Sequence, residues 1–177
     1  MSNKTDRQPD PYKIDRLAKI PPSVKAVFIK WWFAGAVYYF VGMGIQALDT
    51  ANQFDLILVL GIVLGMVNDL LVNNIFRYMR TDKAIYDPYM MFPQKKFYTF
   101  FCNILYYTLI SAAVAYLYNA INLAAQAAGL VGEDKVWLTA EPVLYGVFIL
   151  LLDMALLGIK ALTKRALANK ASKKDTD

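Results

Sequence analysis

The sequence predicts an all-α integral membrane protein whose four transmembrane helices form two antiparallel hairpins, with both chain ends in the cytoplasm. Three observations predict it. Of the 177 residues, 58% are hydrophobic, against the 45–50% usual for soluble domains. The excess is gathered in four long runs separated by polar segments, the pattern of membrane-crossing helices. Finally, 18 of the 19 lysines and arginines fall in the two tails, the middle connection or the span ends beside the tails. That bias sets orientation by the positive-inside rule.

A crossing helix needs about 20 apolar residues, because the hydrocarbon is ~30 Å thick and the helix rises 1.5 Å per residue. Four stretches satisfy this: residues 26–48, 54–76, 97–118 and 143–162. They define a membrane domain over 26–162, a tail over 1–25 with a short amphipathic segment (YKIDRLAKI, 12–20), and a basic tail over 163–177. The first run exceeds the 7–15 apolar residues of a signal-peptide core and follows a charged tail, so it reads as a retained helix. Basic residues from Lys4 to Lys30, from Arg77 to Lys96 and from Lys160 to Lys174 then lie on the cytoplasmic side of a cell membrane. The other connections carry Asp49, Asp55, Glu133, Asp134 and Glu141, with Lys135 alone among the basic residues. Trp31 and Trp32, and Trp137 on the opposite side, read as interfacial anchors.

The first connection, 49–53, is short enough for a tight hairpin. The second outer connection opens alanine-rich, which favours helix, and Gly129 with Gly132 can end it. Thr139 is an expected N-cap for the fourth span, with Glu141 in its first turn. The layout of KWWFAGAVYYF resembles that of YTFFCNILYYT, and the second and fourth spans each carry one aspartate, which reads either as chance likeness among aromatic-rich helices or as a parallel repeat of the hairpins.

Those aspartates head the candidate residues. A charge in hydrocarbon costs about 2.5–3.5 kcal/mol on insertion scales, so Asp69 is expected to face protein or water. On a helix it shares a face with Gly61, Gly65, Asn68 and Val72, and the polar stripe runs on through Asn73 and Asn74. Gly61 and Gly65 form a G-x-x-x-G pair, which lets a second backbone approach. Asp153 shares a seven-residue stripe with Gly146 and Lys160, and Lys160 is expected to snorkel. Asn68, Asp69, Asn73 and Asp153 thus form a candidate intramembrane polar site, either fixing helix packing or handling an ion, proton or substrate. If the two carboxylates faced each other, they would share a proton or bind a cation. The middle connection holds YDPYMMFPQ, unusually apolar for a loop. Tyr89, Met90, Met91 and Phe92 either dip into the interface or dock a partner.

Several functions are disfavoured. The chain has no histidine and one cysteine, Cys102, which removes the commonest base and metal ligand, any intrachain disulfide and any thiolate cage. No phosphate-binding, dinucleotide, metalloprotease or C-x-x-C motif occurs. No enzyme, no metal and no cofactor is expected. The net charge of +5 sits beside apolar spans and points to anionic headgroups rather than nucleic acid. The leading expectation is a non-enzymatic homo-oligomer or an accessory subunit that binds another membrane protein. The alternative is a small oligomeric transporter or channel using Asp69 and Asp153.

Overall fold

A computed structural model describes residues 20–48, 52–79, 85–93, 97–132 and 142–174, with side chains left undescribed at 46, 77–79 and 171–174. Within them the chain is helical, and four helices are long and apolar enough to cross a membrane: α1 (Pro22–Ile45), α2 (Gln53–Phe76), α3 (Tyr98–Ala127) and α4 (Pro142–Lys170). The expected caps Thr139 and Glu141, the anchor Trp137 and the tail segment 12–19 lie outside the described residues.

Local chemistry sets the ends. Pro22 occupies the first turn of α1, where its missing N–H would have had no partner, so the helix begins four residues before the expected 26. Asn52 caps α2 through a capping box: its side chain accepts from the Asp55 N–H at 2.9 Å, and the Asp55 carboxylate reaches back to the Asn52 N–H. The alanine-rich stretch after Tyr118 continues α3 by nine residues to Ala127. Gly129, at φ +68°, then ends it, with the Leu130 N–H on the Ala125 carbonyl at 3.0 Å. Two π-helical turns interrupt the ladder, Tyr38–Gly42 in α1 and Asn68–Val72 in α2. Such insertions rotate the residues beyond them and recur at functional positions.

The two most closely packed helix pairs run antiparallel. Along α2 and α3, Gly61 meets Thr108 while Gly65 meets Ile104, so numbers rise on one as they fall on the other. The same inversion pairs Lys30 with Asp153 and Gly35 with Pro142 across α1 and α4. The most extensive packing is between α2 and α3 and between α1 and α4, rather than within the expected hairpins α1–α2 and α3–α4. Glycine explains both contacts. A Cβ on Gly65 would lie 2.4 Å from the Ile104 Cα, and one on Gly146 would lie 2.8 Å from the Trp31 carbonyl oxygen, so only glycine allows backbones this close.

Trp31, expected as an interfacial anchor, packs against the first turns of α4. It lies nine residues into α1, roughly 13 Å along the axis, and its indole N–H donates to the Val143 carbonyl at 3.3 Å. Trp32 beside it is exposed.

One buried cluster, including Tyr38, Leu60, Leu64, Tyr107, Ile110 and Ile149, fills the middle of the bundle. A second closes the end bearing Pro22 and Tyr98, where Ala26, Val72 and Phe76 receive Tyr86 and Met90 from the α2–α3 connection.

Candidate functional site

Two aspartates organise the interior, and each has its own partners. Asp153 on α4 accepts from Lys30 of α1, Nζ to Oδ2 at 2.6 Å, and from the Tyr106 hydroxyl of α3, to Oδ1 at 2.9 Å. Its exposure is 1%, and that of Lys30 is 7%. Asp69, also 1% exposed, sits in the π-turn of α2. Its Oδ1 accepts from Asn103 Nδ2 of α3 at 2.8 Å and from Asn73 Nδ2 at 3.3 Å. One turn toward the far end, the Tyr107 hydroxyl donates to Asn68 Oδ1 at 3.0 Å. Further along, Ser111 and Tyr145 share a hydroxyl–hydroxyl contact of 3.1 Å.

This pairing is what a low dielectric demands. An ion pair out of water must recover a desolvation cost of several kcal/mol per charge through close geometry and added hydrogen bonds. Asp153 has both a 2.6 Å cation and a phenol. The Asp69 carboxylate is held by amide donors, each weaker than a cation but already placed by close α2–α3 packing. Asn73 Oδ1 is the exception: among the described residues it is buried without a partner.

The structure thus gathers Asn68, Asp69, Asn73 and Asp153 in one half of the bundle, but it does not set the carboxylates against each other. Asp153 is engaged by Lys30 of α1 and Tyr106 of α3, Asp69 by Asn103 of α3 and Asn73 of its own helix, and none of the described residues forms a cluster suited to a metal ion. A Cβ added at Gly61 would lie 2.3 Å from the Thr108 Cα of α3. Lys160 donates to the Met90 and Met91 carbonyls at 2.9 and 2.7 Å, so its ammonium ties the middle connection to α4.

That connection is folded against its own chain. Tyr86 stacks on Phe76 with centroids 4.8 Å apart and planes 6° from parallel. Burial raises the Tyr86 phenol above its ordinary pKa, and the Tyr89 phenol adds to the rise. The Phe92 carbonyl accepts from Asn103 Nδ2 at 3.2 Å, and its ring meets Tyr106 edge-on at 6.1 Å. Met90 is 3% exposed and Phe92 36%, with Tyr89 and Met91 between. Of the four candidate docking residues, Met90 is wholly occupied within the bundle.

Sequence reasoning missed Lys30 and Asn103 as partners of the aspartates. Both interrupt apolar runs, and that interruption was the available signal. Lys30 was counted among the residues that set orientation, and Asn103 is embedded among aromatics in FFCNILYY.

Four helices of membrane-crossing length, closed around a buried polar network, mark a small multi-pass membrane protein. The chain matches no protein-family model, no curated protein and no solved structure in comparison.

Proposed function

We propose that the protein is a non-enzymatic component of a cell-membrane assembly, a homo-oligomer or an accessory subunit, with both termini cytoplasmic. The observation that carries this reading is a groove of about 230 Å³ on the outer face of the α1–α4 pair. Gly35 and Ala36 are among its small residues, while Trp32, Tyr39 and Phe40 stand exposed beside them. Small residues let a further helix approach, and aromatic side chains supply area at little entropic cost. The polar interior is consistent with this. Asp69 and Asp153 are engaged with neighbouring helices, as packing residues are. Exposed Lys164, Arg165 and Lys170 on the extension of α4 suit anionic headgroups.

The test is particle size in a mild detergent. Wild type is expected to run as an oligomer or with a second membrane protein. Ala36→Trp, which fills the groove, is expected to release the chain as a monomer with an unchanged melting temperature. A wild-type monomer that brings nothing with it ends the proposal. Orientation is tested separately in intact cells, on a Cys102→Ser background. A cysteine at 170 is expected to be protected from an impermeant reagent, and one at 134 to be labelled.

Transport by an oligomer through Asp69 and Asp153 is the second reading. A void of about 20 Å³ beside Lys30, Asn68, Tyr107 and Asp153 favours it, since that is room for about one water. Ion or proton flux in liposomes, lost in Asp69→Asn while the fold persists, would establish it over the first.

A further inference from the structure

In the half of the bundle away from the aspartates, all four helices line a second cavity, of about 190 Å³. Tyr38, Leu60, Val114 and Phe148 are among its wall residues, and Ser111, Tyr145, Gln53 and Asn119 bring polar side chains to it. Among the described residues, no Asp, Glu, Lys or Arg lines it. Size, charge and polarity each constrain an occupant. An apolar cavity of about 150 Å³ is enough to hold benzene, so this one takes one ring or two fused rings. With no ionised group among the described residues of its wall, those residues cannot balance a charged guest away from water. The aromatic wall, with Tyr38 and Tyr145 centroids only 4.7 Å apart, favours a flat molecule. The Ser111–Tyr145 contact supplies the polar handle. Two hydroxyls carry two protons, and their mutual bond uses one, so the pair can donate the other to a guest oxygen.

We propose that this cavity binds a small, neutral, aromatic molecule carrying one hydroxyl or carbonyl group, held between Tyr38, Phe148 and the Ser111–Tyr145 hydroxyl pair. The site is independent of the assembly reading. A monomer that binds such a molecule would remove only that reading, and an oligomer that does not bind one would remove only this proposal.

The experiment uses the full chain in phosphatidylcholine nanodiscs and follows 4-fluorophenol by fluorine NMR, with 4-fluorobenzoate as the charged counterpart and empty nanodiscs as the partitioning control. Saturable binding of the phenol alone is expected. Ser111→Ala should weaken it about fivefold, the effect of one neutral hydrogen bond. Ala115→Phe, which places a ring in the cavity, should abolish it while keeping the melting temperature. Should Ala115→Phe not fold, Ser111→Ala, which removes a single oxygen, still decides the matter. The proposal is overturned by a signal no larger than in empty nanodiscs, by equal binding of the benzoate, or by Ser111→Ala binding as wild type does. It is also overturned if native mass spectrometry finds a phospholipid held by wild type and lost from Ala115→Phe.

Discussion

Lys30 and Asp153 form a 2.6 Å ion pair that ties the first helix to the last, with both side chains almost wholly removed from the surface. Removing one partner strands the other charge, which typically costs about 3–5 kcal/mol at a buried pair. Lys30→Met and Asp153→Leu are each expected to lower detergent stability by about that amount. The double substitution should recover most of the loss, because it leaves no stranded charge. Melting curves arranged as a double-mutant cycle measure this, and simple additivity would show that the pair is not coupled.

Gly65→Leu is expected to be more damaging than Gly158→Leu. A Cβ at 65 would lie 2.4 Å from the Ile104 Cα, far inside van der Waals contact distance, whereas one at 158 meets nothing within 4 Å. Overpacking costs about 1–3 kcal/mol where neighbours can shift, and here the neighbour is backbone. Equal melting temperatures for the two variants would mean that α2 and α3 do not meet at the glycines.

At Asp69 the pattern of substitutions is informative. Asn103 and Asn73 both donate to one carboxylate oxygen, and an asparagine at 69 keeps that oxygen. Asp69→Asn should therefore preserve assembly. Asp69→Leu strands buried donors at about 1–3 kcal/mol each and should disrupt it. Asn73→Leu is expected to be nearly neutral, because it removes a 3.3 Å bond together with an orphaned carbonyl. Thermal unfolding of the three variants checks the order.

For the middle connection, cysteine reactivity separates self-packing from docking. On a Cys102→Ser background, Met90→Cys should resist a soluble thiol reagent while Phe92→Cys reacts, following their burial. Rapid labelling at position 90 would show that the connection leaves the bundle in solution.

The spans were legible in the sequence because hydrocarbon thickness imposes a length and composition that no loop imitates. Their ends were less so. Pro22 extended α1, and an alanine-rich stretch carried α3 beyond Tyr118, since a helix has no need to stop where hydrophobicity falls. Asp69 and Asp153 were found by desolvation cost alone. The Lys30–Asp153 pair was not foreseen, because it depends on how α1 crosses α4, and no local periodicity encodes that angle. The π-turn that carries Asp69 also left no local mark, since it reflects how the helix is packed rather than its intrinsic propensities.

The separation of 123 residues between Lys30 and Asp153 also has a consequence for biosynthesis. At about 5–20 residues per second, roughly 6–25 seconds pass between the making of the lysine and the making of its carboxylate. During that interval α1 carries an uncompensated cation, a cost of about 2.5–3.5 kcal/mol at mid-bilayer. The first helix is consequently the least settled until the last one arrives, and a chain truncated before α4 should leave it exposed to membrane quality control.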